Sequence, residues 1–273
     1  PVNIGGVLVS NASLHNEDEI NRKDIRIKDY IVVERAGDVI PHIISVDIKK
    51  RKSNSKKFLF PSKCPSCGSK TIKDYNNLTK KMDAVRRCSS EGFECEKVAI
   101  EKIKHFVSKD AFNIDGFGKK IVEKFWDLNF IRYPQDIFKL DYKKIENLDG
   151  WGGQSVNNLK FSINEKKNIS LERFIFALGI RHIGLETAKL ISKHVKNSQN
   201  FLKLYKFDNL KEIENIDGIG ETQIESIKNF FSLKTNNQII SDLNDLLNIE
   251  DFQKSKIDGL LKNKTFMFTG KLT

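Results

Sequence analysis

Hydrophobic and polar positions follow one period in the first part of the chain and another in the rest. Over residues 1–60, short runs rich in β-branched residues alternate with polar stretches; the runs are Gly6–Ser10, Tyr30–Glu34 and Val39–Val46. Short strands at this spacing predict a small barrel or sandwich. Pro41 lies inside the third run, which predicts an edge or bulged strand because proline lacks the N–H that a central strand needs.

From about residue 99 to residue 250, apolar residues recur at the spacing of one helix face. Two such sets are Ile100, Ile103, Phe106 and Val107, and Leu171, Phe174, Ile175 and Leu178. A polar connector follows at 251–262, and then a strand-like run, Phe266–Gly270. The patterns predict a multidomain chain with four segments, 1–60, 61–98, 99–256 and 257–273.

Both termini look like cuts within a longer protein. Residue 1 is Pro1 rather than Met, and the chain stops within the last strand-like run. We therefore expect an internal fragment. No apolar run approaches the roughly 20 residues that span a bilayer, so a membrane protein is excluded.

Basic residues outnumber acidic ones by 47 to 36, which gives a formal net charge of +11. This excess favours a polyanionic partner, although 38 of the 47 are lysines, and a lysine-rich composition also arises from an AT-rich genome. The densest cluster, Lys49–Lys52 with Lys56 and Lys57, is interpreted as a solvated linker. Its alternative interpretation is contact with phosphates.

All four cysteines lie within 32 residues, as Cys64-x2-Cys67 and Cys88-x6-Cys95. Two close pairs supply the four soft ligands of a tetrahedral, structural zinc site. Lys63, Arg86 and Arg87 would offset the negative charge of the thiolates. The alternatives are two disulfides or four unrelated buried thiols, but no feature of the sequence indicates an oxidising compartment.

An internal repeat runs through the helical region. Its four copies are Ile114–Gly118, Leu148–Gly152, Ile180–Gly184 and Ile216–Gly220, whose last glycines are 34, 32 and 36 residues apart. Two glycines around an apolar residue permit a sharp turn with positive φ, and the N–H groups of the helix that follows can hold a phosphate. The repeat predicts helix-hairpin-helix motifs that contact the DNA backbone at Gly116, Gly118, Gly150, Gly152, Gly184, Gly218 and Gly220.

The third copy has His182 in place of its first glycine. This hairpin is either chiefly structural or uses Arg181 to reach a phosphate. His182 itself is interpreted as a partly exposed turn residue.

Catalytic motifs are weak in this sequence. Lys256–Gly259 matches the Lys-x-Asp-Gly motif of nucleotidyltransferases, but it lies in a polar connector without a preceding strand, so we interpret it as a coincidence. Gly270–Lys271 lacks the upstream glycine of a P-loop. We expect no catalytic residue in this chain.

The order of the parts resembles that of bacterial NAD-dependent DNA ligases. Local sequences agree along essentially the whole chain, in the segments Val9–Asn16, Arg35–Pro41, Arg86–Cys88, Lys104–Ser108, Phe176–Arg181 and Lys264–Gly270. The resemblance implies a small all-β OB-fold barrel at 1–60, a four-cysteine zinc finger at 61–98, an all-α domain of four helix-hairpin-helix repeats at 99–256, and the first strand of a truncated α/β BRCT domain at 257–273. The interval between Cys88 and Cys95 is longer than is usual in the family, which predicts a looped second knuckle.

The family seals nicks between a 5′-phosphate and a 3′-hydroxyl in duplex DNA during replication and repair. The resemblance places this chemistry, with its NAD⁺ and Mg²⁺, in an adenylation domain absent from this sequence, and implies that this chain clamps nicked duplex DNA. It implies a structural zinc ion, a monomer, and a bacterial cytoplasmic, nucleoid-associated location. It also implies DNA contacts at His15, Asn16 and Arg35, each of which can equally be a strand-end residue satisfied within the barrel.

Two other function classes fit the same residues. The chain can be a non-catalytic helix-hairpin-helix and zinc module of a repair complex, or a zinc-stabilised scaffold whose basicity is only compositional. The OB-fold segment and the final strand favour the ligase over the repair-complex module, because that module needs neither of them. The scaffold predicts little affinity for DNA.

Overall fold

A computed structural model describes residues 1–34, 40–76, 80–204 and 212–253. The chain separates into two compact units, residues 1–96 and residues 97–273. Arg35, Lys256 and the predicted BRCT strand at 257–273 lie outside the described residues. The BRCT start therefore stays a prediction.

The first unit is built mainly from short antiparallel strand pairs: β1 with β2, β3 with β4, β5 with β8 and β6 with β7. Its elements are β1 (Val2–Ile4), β2 (Val7–Val9), α1 (Glu17–Arg22), β3 (Ile31–Glu34), β4 (His42–Val46), a 3₁₀ helix (Ile48–Lys50), β5 (Thr71–Ile72), β6 (Tyr75–Asn76), β7 (Lys81–Met82) and β8 (Arg87–Cys88).

Strands in the described part of residues 1–60 form separate pairs instead of one continuous ladder. The β1–β2 and β3–β4 pairs are distinct sheets, and Ser13 forms an isolated bridge to His42. Val9 and Ile43 are buried, but Leu8 and Leu59 are 68% and 84% exposed. The described part of this segment therefore buries few apolar side chains.

The strand in the third β-rich run begins only after Pro41, whereas the sequence predicts an edge or bulged strand that contains this residue. β4 begins at His42, directly after Pro41, because the proline has no N–H to donate to the ladder. Its carbonyl oxygen accepts a 2.7 Å hydrogen bond from the Ser13 N–H. The register shift lies in the opposing strand, between Val32 and Val33.

Arg51 belongs to the basic cluster at 49–57, but its side chain is only 12% exposed. Its guanidinium donates to Asp29 Oδ1 and Oδ2 at 3.0 and 2.8 Å and to Asp24 Oδ2 at 2.6 Å. The Asp29 carboxylate is 1% exposed, and the hydrogen bonds from Arg51 hold its pKa below the ordinary value. The interpretation as a solvated linker is wrong for Arg51, which ties this segment to the loop after α1.

The second unit is helical, as predicted. Its helices are α2 (Glu96–Phe106), α3 (Lys119–Asp127), α4 (Tyr142–Glu146), α5 (Gly153–Glu165), α6 (Leu171–Ala177), α7 (Leu185–Val195), α8 (Ser198–Lys203), α9 (Glu221–Ser232) and α10 (Lys234–Leu246), with a 3₁₀ helix at Pro134–Lys139. In the described ranges, no helix combines the length and the apolar composition needed to cross a membrane.

Phenylalanines fill the core at the start of the second unit. Phe106 on α2 stacks on Phe112 with ring centroids 4.2 Å apart, and Phe138 from the 3₁₀ helix packs against both. Ile100 and Ile103 are 3% and 0% exposed. The helical spacing read from the sequence therefore identifies the buried face of α2.

A parallel pair of strands interrupts the helical pattern and was not predicted. β9 (Asn168–Ser170) pairs with β10 (Asn248–Glu250), and the Asn248 side chain donates to Asn168 Oδ1 at 2.8 Å. The strands are 80 residues apart and three residues long, so no local period marks them. Their pairing joins the end of the helical region to its middle.

Loss of the Arg51 guanidinium should make the first unit more sensitive to acid. The lowered pKa of Asp29 means that its ion pair stabilises the fold fully above the unfolded pKa of about 4 and is lost as the pH falls through the lower folded pKa. In Arg51→Met, Asp29 stays buried without a cation, so its pKa rises and loosening begins above about pH 4. Hydrogen exchange of residues 24–55, corrected for intrinsic rates, measures the shift.

The matched control is Arg22→Met, because the Arg22 side chain pairs with Glu19 but is 65% exposed. We expect this variant to keep the wild-type pH profile. Identical profiles for Arg51→Met and Arg22→Met would contradict a structural role for the buried ion pair.

Candidate metal centre and nucleic-acid interface

Strand pairing brings the two cysteine pairs together. β5 and β8 pair so that Thr71 lies opposite Cys88, and the isolated bridge between Lys63 and Lys70 closes the loop that contains Cys64 and Cys67. Cys95, directly before α2, is 1% exposed. Cysteines distant in sequence therefore meet at one end of the first unit.

The four sulfur atoms of this cluster lie within 4.8 Å of one another. Cys64 Sγ is 3.9 Å from Cys95 Sγ, and Cys67 Sγ is 3.4 Å from Cys88 Sγ. A disulfide bond is roughly 2 Å long, whereas sulfurs in a tetrahedron with bonds of about 2.3 Å to zinc are about 3.8 Å apart. The single predicted cluster is confirmed, the disulfide alternative is wrong, and the four thiols can hold a metal ion.

The two thiols of the Cys67–Cys88 pair have opposite pKa shifts: hydrogen bonds lower the pKa of Cys67, whereas burial and the neighbouring Cys67 thiol raise the pKa of Cys88 to about 11. The Ser69 hydroxyl contributes most to lowering the pKa of Cys67, to about 5, and the Ser90 N–H donates to Cys88 Sγ at 3.4 Å. Gly68, with φ of +76°, donates its N–H to the Cys64 carbonyl at 2.9 Å. Such a knuckle turns both sulfurs of the first pair to the same side.

The long interval between Cys88 and Cys95 is taken up by a turn. The Glu94 N–H donates to the Glu91 carbonyl at 3.2 Å, and Gly92 has φ of +54°. The chain therefore loops out, as predicted, and still returns Cys95 to the cluster.

Two arginines beside the cysteines have carboxylate partners, and their expected effect on the thiolate charge stays a prediction. Arg86 donates from Nε and Nη2 to the two oxygens of Glu17, each at 2.9 Å, and Arg87 pairs with Asp83. The hydrogen bond from Arg86 is the main cause of the lowered pKa of Glu17. Since Glu17 begins α1, this bidentate pair joins the predicted OB segment to the cysteine segment.

A cavity of about 350 Å³ lies where those two segments meet, and His15 and Asn16 line it together with Arg86 and Arg87. Asn16 is the N-cap of α1, and its Oδ1 accepts from the Glu19 N–H at 2.9 Å. The Asn16 oxygen is thus satisfied within its own segment. DNA contact at His15 and Asn16 stays a prediction, and Arg35 lies outside the described residues.

The four hairpin turns share one backbone geometry. The N–H of the fourth residue donates to the carbonyl of the first at 3.0–3.2 Å, in the pairs Phe117 to Ile114, Trp151 to Leu148, Ile183 to Ile180 and Ile219 to Ile216. The third residue has positive φ: +78° at Gly116, +81° at Gly150, +61° at His182 and +92° at Gly218. The predicted left-handed turn is therefore present in every copy, including the one with histidine.

The last glycine of each turn has ordinary backbone geometry, so the expectation that both glycines support positive φ is wrong. Each is a helix N-cap with negative φ: Gly118 at −70°, Gly152 at −111°, Gly184 at −81° and Gly220 at −102°. A Cβ at the first three would meet nothing within 4 Å. Neither strain nor packing requires glycine there, so what glycine provides is open access to the helix N-terminus.

Apolar side chains anchor the turns. Phe117, Ile183 and Ile219 are 1%, 5% and 6% exposed, as predicted for a residue that plugs into the core. Trp151 is half-buried, with its ring 5.6 Å from that of Phe125 on α3. The N-termini of the following helices are therefore held at fixed positions on the surface.

The hairpins associate in two pairs, which the sequence did not reveal. Lys124, on the helix after the first turn, donates to the Asp149 carbonyl of the second turn at 3.2 Å. In the third turn, His182 Nδ1 lies 2.9 Å from Ser226 Oγ, on the helix after the fourth turn. A side-chain hydrogen bond thus joins the two hairpins of each pair.

Charge in the first helical turn distinguishes the pairs. α3 opens with Lys119 and Lys120, and neither α3 nor α5 has an acidic residue in its first turn. α7 and α9 carry Glu186 and Glu221 there. Since a carboxylate competes with an incoming anion for the positive end of the helix dipole, the first-turn charges favour phosphate at the first pair. They do so above all at α3, because the Glu146 carboxylate lies near Gly153 at the start of α5.

The geometry agrees with known protein families. Residues 1–55 match the family model of the NAD-dependent DNA ligase OB-fold domain, and residues 173–240, which contain the third and fourth hairpins, match the helix-hairpin-helix motif. The predictions of an OB-fold domain and of a helix-hairpin-helix region are therefore confirmed.

Similarity to relatives extends along the entire chain. The chain is 71% identical over 272 residues to a DNA ligase of Pelagibacter ubique, 44% identical over 284 residues to one of Rickettsia canadensis, and 45% identical over 276 residues to one of Wolbachia pipientis subsp. Culex pipiens. It spans 40% or 41% of the length of these relatives. With the two family matches, this similarity places the chain in the bacterial DNA ligase family, where it corresponds to a C-terminal portion of the protein.

Proposed function

We propose that this chain is the part of an NAD-dependent DNA ligase that clamps nicked duplex DNA while the 5′-phosphate is joined to the 3′-hydroxyl. The chain spans only about 40% of the relatives that it matches, so we assign the use of NAD⁺ and Mg²⁺ to the remainder of such a protein. In this proposal the chain contacts DNA as a monomer and contributes no catalytic residue.

The observation that carries the proposal is the open N-terminus at three of the four hairpins. Gly118, Gly152 and Gly184 leave free space where any other residue would place a Cβ, although nothing in the described part of the chain requires glycine at these positions. Backbone N–H groups at a helix N-terminus bind phosphate without reading bases. This is the contact that a ligase needs, since nicks occur in any sequence.

Charge favours the first hairpin pair as the main phosphate contact. Lys119 and Lys120 begin α3, and the net charge of the chain is +11. The Gly220 N–H in the fourth hairpin already donates to Gln223 Oε1 at 3.1 Å. We therefore propose that Gly118 and Gly152 contribute more to DNA affinity than Gly184 and Gly220.

We propose zinc as the metal of the four-cysteine cluster. The four thiolates would hold it with no open coordination position, so its contribution is to cross-link the Cys64–Cys67 knuckle, β8 and the residue before α2. Together with the ion pair between Glu17 and Arg86, this would keep the OB segment and the cysteine segment in a fixed arrangement.

The experiment that tests the proposed function measures binding of the chain to nicked and to continuous duplex DNA at two salt concentrations. We expect tighter binding to the nicked duplex and affinity that falls steeply with salt, because phosphate contacts release counterions. Equal binding to both duplexes would indicate that the chain contacts the DNA backbone without recognising the nick. No binding by the folded, metal-loaded chain would favour the scaffold alternative.

Aspartate at the N-caps of α3 and α5 should weaken DNA binding without destabilising these helices. In Gly118→Asp with Gly152→Asp, the carboxylates are good N-caps and keep the helices intact. They also occupy the phosphate position with negative charge, so affinity for duplex DNA should fall by about tenfold per site, since an anion at a helix N-terminus contributes up to about 2 kcal/mol. Titrations at several salt concentrations should show a shallower salt dependence by about two phosphates.

The control is Gly118→Asn with Gly152→Asn, which has the same shape and cap without the charge. It should keep the wild-type salt dependence. A second comparison is Gly184→Asp, which should cost less affinity because Glu186 already lies in that first turn. Equal affinities for the Asp and Asn pairs would contradict phosphate contact at these hairpins.

All four cysteines of the chain belong to the cluster, so the reactivity of its thiols reports on the metal site alone. We expect one zinc ion per chain by elemental analysis, and four thiols that react with a thiol reagent only after strong chelation. Cys67→Ala should lose nearly all bound zinc, because three ligands of this set remain.

Ser66→Ala is the control for that substitution, since Ser66 lies between Cys64 and Cys67 but offers no sulfur. It should retain a full complement of zinc. Folded wild-type chain with four immediately reactive thiols and no bound zinc would rule out the proposed metal.

A further inference from the structure

His182 holds a backbone conformation that its side chain disfavours. Its φ is +61°, and the equivalent positions of the other three turns are glycines. Glycine adopts positive φ without a steric penalty, whereas a residue with a Cβ does so at a cost. A strained histidine where three copies have glycine calls for a role of its side chain.

The side chain makes a directed hydrogen bond. His182 Nδ1 lies 2.9 Å from Ser226 Oγ, and Ser226 Oγ donates to the Thr222 carbonyl at 2.8 Å. A hydroxyl has one proton, and that of Ser226 is used within α9. His182 Nδ1 therefore carries the proton and donates to Ser226.

A corresponding contact joins the fourth turn to the helix that follows the third turn. Leu190 and Ser226 are each six residues after the last glycine of their turn, and His182 and Gly218 each occupy the third position of a turn. A Cβ on Gly218 would lie 3.0 Å from Leu190 Cδ1. Thus the small Gly218 faces the large Leu190, while the large His182 faces the small Ser226.

We propose that His182 is a positioning residue that, through Ser226, holds the third and fourth hairpins in one fixed arrangement for gripping duplex DNA. Two contacts, one polar and one apolar, fix both the separation and the rotation of the two helix N-termini. One contact alone would leave the pair free to rotate about it. The inference rests on the proposed function, because it assigns the arrangement of these hairpins to DNA binding.

Binding of the chain to nicked duplex DNA tests the role of His182. His182→Gly keeps the turn and relieves the positive φ, so its unfolding temperature should stay near that of the wild type while affinity falls by about fivefold. Ser226→Ala should cause a similar loss, and the double variant should lose no more than either single one. Losses that add would overturn the inference.

Two rescue variants distinguish positioning from direct DNA contact. His182→Asn tolerates positive φ and places an amide N–H at the same distance from the backbone as Nδ1–H, so it should retain wild-type affinity. His182→Gly with Ser226→Leu recreates the Gly218–Leu190 pairing and should restore the affinity that His182→Gly loses. If the Gly–Leu variant stays as weak as His182→Gly, the imidazole acts by itself and the inference is wrong.

Failure of the inference and failure of the proposed function give different results. If the folded wild-type chain binds no DNA, the proposed function fails and the inference falls with it. If the wild-type chain binds DNA in a salt-dependent way and Gly118→Asp weakens it, but the His182 and Ser226 variants bind as the wild type does, only the role of His182 is overturned.

Discussion

The positive φ at the third position of each hairpin turn is the constraint on which the helical unit depends. It allows the fourth residue to donate back to the first, which reverses the chain within a few residues. The reversal turns Phe117, Ile183 and Ile219 into the core and leaves the next helix N-terminus at the surface. One backbone requirement thus produces both the packing of the unit and its proposed phosphate contacts.

Different interactions hold the two units together. In the second, phenylalanines and isoleucines make a buried core in which Phe106, Phe112 and Phe125 are at most 2% exposed. In the first, few apolar side chains are buried, and ion pairs of Arg51 and Arg86 connect its segments. A metal ion bound by four thiolates would add cross-links where apolar burial is least, as is typical of small zinc modules.

The repeats differ in the charge of their first helical turns although they share a geometry. Glycine at the third position adopts positive φ without steric strain. At the N-cap, we propose that glycine leaves the helix N-terminus open to phosphate. Carboxylates in the first turns of α7 and α9 lower the attraction for phosphate there. The first pair of hairpins is thereby suited to phosphate, while the second pair has the reciprocal contacts of His182 and Leu190 that hold it together.

The sequence by itself determined the helical face of Ile100 and Ile103, the four turns, the cysteine set and the family, because these depend on residue type at short, regular spacing. It could not determine which hairpins pair, that β9 meets β10 across 80 residues, that the Arg51 side chain is only 12% exposed, or that Arg86 pairs with Glu17. It also misjudged the backbone of the N-cap glycines. Most of these features depend on which distant groups come within hydrogen-bonding distance, and only the tertiary structure decides that.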